Sequence, residues 1–137
     1  MIIGAHVLFY SEDPDADRTF FHDVLGFRAV DAGGGWLIFG LPPAEAAFHP
    51  VEDGDQRQLL HGGHRLLGAV LYLMCDDVRS EVKALDTKKV TCSPLEEEPW
   101  GIATAFKLPS GGEIGLYQPT HPSPLNLVSQ ESPKTDG

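Results

Sequence analysis

The sequence predicts an α+β fold in which one βαβββ unit is used twice. Residues 1–50 and residues 67–119 repeat the same order of an apolar strand, a capped helix and further short strands. One such unit is too small to bury a core of its own, so the two units are expected to pair. The matched positions are Asp13 with Asp77, Trp36 with Trp100, and residues 45–50 with residues 113–118.

The first unit begins with an apolar, β-prone stretch over residues 2–10, which predicts a buried strand. A helix is predicted over residues 14–25, because Asp13 can cap it, Pro14 suits its first position and Gly26 can end it. Three short strands then follow, over residues 27–31, 36–40 and 45–49.

The second unit follows a polar connector over residues 51–66. A strand is predicted over residues 68–75, and then a helix that Asp76 or Asp77 caps. The apolar face of this helix consists of Val78, Val82 and Leu85. Later strands are predicted over residues 89–92, 101–108 and 113–117, and a C-terminal tail over residues 120–137.

Composition and charge exclude several classes of function. Ten Lys and Arg residues stand against 20 Asp and Glu residues, so the net charge is −10. Such a surface repels phosphate backbones and anionic lipids, which argues against nucleic-acid and membrane partners. The two cysteines, Cys75 and Cys92, are too few for a disulfide scaffold and indicate reduced thiols in a cytoplasm.

Four features of the sequence resemble the vicinal oxygen chelate superfamily, which includes glyoxalase I, bleomycin-resistance proteins and extradiol dioxygenases. The resemblance covers about residues 4–118. It implies two paired βαβββ modules that form a cup-shaped, half-barrel mixed sheet, in one domain over residues 1–119. The features are His6 with Asp13 at the first strand, the run of residues 20–27, the second start at residues 71–78, and the run of residues 108–117.

Enzymes of this superfamily hold a divalent metal in the cup, with ligands from the first and last strands of each unit. His6 matches the first of these positions. Val70 and Gly115 occupy two others, and neither side chain can bind a metal. The fourth position is Ala47 if the internal repeat sets the register, and His49 if the count runs from the preceding proline pair. The usual metal site is therefore degraded to two of four ligands at best.

A shifted metal site is the alternative. Strand alternation places Glu45 and His49 on one face of their strand, and Glu113 and Tyr117 on one face of theirs. If those faces line the cup, His6 and His49 with Glu113 could hold Fe, Mn, Ni, Co or Zn. The protein would then be a metal-dependent lyase or dioxygenase, with Glu113 as the catalytic carboxylate.

The main hypothesis, to which the metal-dependent enzyme is the alternative, is a protein that binds a small molecule without a metal. Val70 and Gly115 favour it because they make the cup roomier and more apolar. An acidic protein also suits a cationic ligand. The resemblance further implies a homodimer. The predicted pocket residues are Tyr10, Glu45, Tyr72, Trp100 and Tyr117.

Overall fold

The computed structural model of the chain describes residues 1, 6–49, 60–65 and 68–125. The predicted start of the first strand, most of the connector and the end of the tail lie outside these residues. The elements of the described part, in chain order, are α1 (Pro14–Asp23), β1 (Ala29–Asp31), β2 (Leu37–Phe39), β3 (Leu60–His61), β4 (His64–Arg65), β5 (Tyr72–Met74), α2 (Val78–Thr87), β6 (Glu96–Glu98), β7 (Gly101–Lys107) and β8 (Glu113–Pro119).

The second unit has the predicted βαβββ order, with β6 in place of the strand predicted over residues 89–92. Its four strands make one sheet in the order β5-β8-β7-β6, and α2 connects β5 with β6. Strand β5 runs parallel to β8, whereas β7 is antiparallel to both β8 and β6. In the first unit, β1 and β2 pair with each other, and in the connector β3 pairs with β4. The mixed α+β fold predicted from the sequence is confirmed.

Both helices begin at the predicted caps. The Asp13 carboxylate accepts a hydrogen bond from the backbone N–H of Ala16 at 3.3 Å. At α2 the cap is Asp77, which accepts from the backbone N–H of Ser80 at 3.2 Å. The Ser80 hydroxyl also donates to Asp77, and the two hydrogen bonds from Ser80 lower the pKa of the Asp77 carboxyl. Gly26, just beyond α1, has a φ of 75°, which a glycine adopts without strain.

The hydrophobic core lies between the helices and one face of the four-stranded sheet. From the sheet it takes Phe106 of β7 and Ile114 and Leu116 of β8, all at most 5% exposed. Helix α1 contributes Phe20, whose ring stacks on that of Phe106 with centroids 6.0 Å apart. Helix α2 contributes the fully buried Val78. Because side chains alternate along a strand, the opposite face of the sheet carries a different set of residues.

Three predicted strands are absent from the described residues. Residues 6–10 and 45–49 form no strand, and Val7 and Tyr10 are 53% and 56% exposed. Apolar composition alone therefore did not determine a buried strand, which also needs a neighbour to share its backbone hydrogen bonds. Residues 89–92 instead close the end of α2: the N–H groups of Lys89 and Val90 donate to carbonyls of the last helical turn.

The structure also adds two elements. The predicted loop before Trp100 contains β6, and the described part of the connector forms the β3–β4 hairpin around Gly62 and Gly63. At the other end of the chain, part of the predicted tail folds back, since Thr120 and Ser123 both donate hydrogen bonds to other segments. No helix among the described residues is long and apolar enough to cross a membrane.

Candidate functional site

The face of the sheet that lies opposite the helices is the candidate site, and we call it the cup face. Strand β8 presents Glu113, Gly115 and Tyr117 there, since its Ile114 and Leu116 enter the core. The neighbouring strand β7 places small side chains beside Gly115 and Tyr117, and its last residue, Lys107, lies opposite Glu113. Ala105 lies opposite Gly115, and Ala103 lies opposite Tyr117. Small residues in the middle of the sheet leave space above it.

Three aromatic residues form one edge of the cup face, and we call them the aromatic corner. The rings of Tyr72, Trp100 and Tyr117 all meet edge to face. The Trp100 and Tyr117 centroids are 5.3 Å apart, and Tyr72 lies 5.8 Å from Trp100 and 5.6 Å from Tyr117. Edge-to-face geometry is favourable for aromatic rings, so the corner is a rigid wall.

Trp100 holds its place because of the glycine that follows it. Gly101 has a φ of 155°, and a Cβ atom there would lie 2.5 Å from the backbone oxygen of Gln118. Only glycine fits this tight junction between β6 and β7. The backbone oxygen of Trp100 also accepts a hydrogen bond from the N–H of Thr120 at 3.0 Å.

A pocket of about 270 Å³ opens on the cup face beside the aromatic corner. Tyr72 and Trp100 form its aromatic side, and Gly115 lies in its floor. Its acidic side consists of Glu96 and Glu98 of β6 and Glu113 of β8. An aromatic wall facing carboxylates is suited to a ligand with a positively charged, planar group.

A chain of polar contacts joins the tail to the back of the aromatic corner, and we call it the His121 junction. The Tyr117 hydroxyl and His121 Nε2 are 2.8 Å apart, and the two rings stack. His121 Nδ1 donates to the backbone oxygen of Pro122 at 2.7 Å, so Nε2 is the acceptor when the ring is neutral. Glu45 lies 3.5 Å from His121 Nε2, and its other oxygen accepts from Ser123 Oγ at 2.5 Å.

The surroundings of Tyr117 change the acidity of its phenol. Burial is the main cause that raises the pKa of its phenol, and the nearby Glu45 carboxylate and Tyr72 add to the effect. Tyr117 therefore stays protonated at neutral pH. Its hydroxyl can donate to His121 rather than act as a base.

The predicted site residues separate into two groups. Tyr72, Trp100 and Tyr117 lie together, and Glu45 joins them through His121. The other three predicted residues of the first unit do not lie in this site. Tyr10 instead forms a hydrogen bond to Nδ1 of His61, while His6 and His49 are exposed.

The residues present do not fit the metal site that the superfamily resemblance implies. In the described part of the chain, no group of three His, Cys, Asp or Glu side chains could hold a metal ion. His6, His49 and Glu113 all belong to that part and are not brought together as such a group. At Gly115, a Cβ atom would lie 2.5 Å from the Tyr72 ring, so the ring fills the space that a ligand side chain would need.

Sequence reasoning missed several residues of the site. Three consecutive glutamates, residues 96–98, are typical of a solvated loop, whereas the structure forms β6 there. Because side chains alternate along a strand, Glu96 and Glu98 lie on one face, beside the pocket. His121 and Ser123 lie in the predicted tail, and no sequence pattern pointed to their partner Glu45.

A second cavity, of about 440 Å³, lies on the helix-covered side of the sheet. Its lining includes the core residues Leu85, Phe106 and Leu116, so it is a gap in the packing between α2 and the first unit. Cys75 also lines it. Burial and then the Glu81 carboxylate raise the pKa of this thiol to about 11, so it is a poor nucleophile at neutral pH.

Comparison with solved structures supports the same fold. The chain is similar to TnmS3, an antibiotic binding protein from Streptomyces sp. CB03234, at 24% identity and a TM-score of 0.57 over 88% of this chain and 99% of that one. It is similar to a lactoylglutathione lyase from Agrobacterium tumefaciens at 18% identity and a TM-score of 0.55, over 85% and 92% of the two chains.

A third similar structure is a member of the glyoxalase/bleomycin resistance protein/dioxygenase superfamily from Sphaerobacter thermophilus. It has 24% identity and a TM-score of 0.52, over 85% of this chain and 98% of that one. No protein-family model matches the chain, and no curated protein sequence does. The chain therefore has the glyoxalase/bleomycin-resistance/dioxygenase fold, and the resemblance to the vicinal oxygen chelate superfamily is confirmed at the level of the fold.

Proposed function

We propose that this protein binds a small organic molecule in the pocket of its cup face, without a metal. The observation that carries the proposal is the pocket of about 270 Å³ between the aromatic corner and the glutamates of β6 and β8. It combines an apolar, rigid wall with a few polar groups, which is the usual composition of a ligand site.

The lining residues favour a ligand with a cationic, planar group. Trp100 and Tyr72 offer ring surfaces for stacking and cation–π contact. Three carboxylates, those of Glu96, Glu98 and Glu113, belong to the lining, whose described residues include no basic side chain. Lys107 lies opposite Glu113 in the sheet and offsets part of that charge, so Glu96 and Glu98 carry the acidic character of the pocket. The similarity to TnmS3, an antibiotic binding protein, is compatible with a ligand of this kind.

The metal-dependent alternative has less support. It requires His6 and His49 to meet Glu113 around one ion, whereas the described residues hold no such group. A homodimer, a cytoplasmic location and the pairing of the two units within one domain remain parts of the proposal.

A fragment screen by ¹H–¹⁵N NMR tests the proposal even though the natural ligand is not identified. Cationic aromatic fragments, such as benzamidine and tryptamine, are expected to shift the amides of Gly115, Ala103 and Ala105 and the indole N–H of Trp100. Anionic fragments of matched size, such as benzoate and indole acetate, are expected to shift them less.

Two variants provide the controls. Trp100→Ala should weaken binding of the cationic fragments at least tenfold, whereas Trp36→Ala should not. Trp36 is half exposed and packs under Arg18, away from the pocket. Shifts confined to other surfaces, or equal binding by wild type and Trp100→Ala, would show that the cup face is not the ligand site.

A further inference from the structure

We infer that Tyr72 determines the size and the selectivity of the pocket, because its ring occupies the space that a side chain at position 115 would fill. The inference rests on the proposed function for its ligand, but its steric basis is independent of any ligand. It assigns a role to one pair of residues, Tyr72 on β5 and Gly115 on β8, that are direct neighbours in the sheet.

The steric basis is the distance between the two residues. A Cβ atom at Gly115 would lie 2.5 Å from Cδ2, 2.6 Å from Cε2 and 3.0 Å from Cγ of the Tyr72 ring. Real Cβ atoms essentially never approach another heavy atom closer than 3.0 Å, so even an alanine at 115 requires the ring to move. The backbone of Gly115 has no positive φ, so its need for glycine comes from this contact and not from its conformation.

The ring of Tyr72 has a fixed place. Its edge-to-face contacts with Trp100 and Tyr117 hold it over Gly115 from one side. Its other side is exposed, since Tyr72 keeps 45% of its surface and lines the pocket. If the ring is displaced from Gly115, the open direction is into the pocket, and the space for a ligand becomes smaller.

The Tyr72 ring and a side chain at position 115 compete for the same space, so the sheet can present only one of them to the pocket. A long side chain at 115 cannot coexist with the Tyr72 ring in its present place. This chain has the ring, and with it an aromatic wall where a metal-binding sheet would have a ligand. The pair therefore fixes the pocket as one that selects planar groups by stacking.

A double-mutant cycle tests the steric part. Gly115→Ala should lower the melting temperature by about 5 °C or more in the wild-type background, because it forces the ring away from its packed position. In a Tyr72→Ala background the same change should be neutral or stabilising, since alanine is more favourable than glycine in a strand once the space is free. An equal loss in both backgrounds would overturn the inference.

The selectivity part needs a ligand readout that a purely structural role would not move. Tyr72→Ala removes one stacking surface and should bind planar amines such as benzylamine more weakly than the wild type does. It should also discriminate less than tenfold between benzylamine and the non-planar cyclohexylmethylamine. Tyr72→Phe keeps the ring carbons and should discriminate as the wild type does.

The two failures are distinguishable. If the thermal cycle shows the coupling but no fragment binds any variant, the proposed function is wrong and the selectivity role falls with it, while the steric pairing stands. The other failure is that fragments bind with the same affinities to Tyr72→Ala and to the wild type, and that Gly115→Ala lowers the melting temperature equally in both backgrounds. Tyr72 then does not shape the pocket, and the inference is wrong.

Discussion

Removal of the His121 ring should weaken the attachment of residues 120–125 to the back of the aromatic corner. The His121→Ala change deletes a hydrogen bond with the Tyr117 hydroxyl at 2.8 Å, which contributes about 1 kcal/mol. It also removes a stacked ring contact at 5.8 Å, of roughly 0.5–1 kcal/mol. Glu45 lies 3.5 Å from His121 Nε2, but the two form an ion pair only when the ring is protonated, so this contact is not counted. We therefore expect a loss of about 2 kcal/mol in the free energy of unfolding.

Urea denaturation of a double-mutant cycle isolates the hydrogen bond. The single variants His121→Ala and Tyr117→Phe and their combination should give a coupling free energy of about 1 kcal/mol. His64→Ala is the matched control, because His64 is exposed and its loss should stay within about 0.5 kcal/mol. A coupling energy near zero would refute the idea that these two side chains act together.

Two further predictions concern pH and metals. Burial and Glu81 raise the pKa of Cys75 from 9.0 to about 11, so the folded state holds this proton more tightly than the unfolded state. This tighter binding of the proton stabilises the folded state fully below pH 9, and the stabilisation is lost as the pH rises from 9 to 11. Because the thiol is partly exposed, the expected loss in the free energy of unfolding is about 1 kcal/mol. Urea midpoints at pH 8 and 10.5 should therefore fall further for wild type than for Cys75→Ala, and equal falls would contradict this. Protein purified without a histidine tag should contain well under one equivalent of Fe, Mn, Ni, Co or Zn, and chelation with EDTA should change neither the melting temperature nor fragment binding. Plasma mass spectrometry and thermal melts measure this, and a stoichiometric metal that His6→Ala removes would restore the metal-dependent alternative.

The second unit was predictable because its signals are local. Asp77 caps its helix, and Val78 and Leu85 recur on one face of that helix. The turn before Glu113 separates the two longest strands, β7 and β8. Each of these signals depends on residues within about one turn or one hairpin. The fold class followed from them.

The first unit and the tail were less predictable because their partners are distant in sequence. Residues 6–10 are as apolar as a buried strand, yet nothing in their own sequence states whether a neighbouring strand is available. Likewise, Glu45 meets Ser123 across 78 positions of the chain. The aromatic corner was anticipated only as separate pocket residues, and its assembly depends on the register of β5 with β8.

The three consecutive glutamates of β6 affect how copies of this protein can meet. β6 is the last strand of the described four-stranded sheet, and all three of its residues are exposed. A second copy that added its own β6 there would bring two rows of carboxylates together, which like-charge repulsion opposes. Pairing of two copies through β6 is therefore disfavoured. The opposite edge of the sheet, at β5, consists of Tyr72, Leu73 and Met74 and carries no such row of charges.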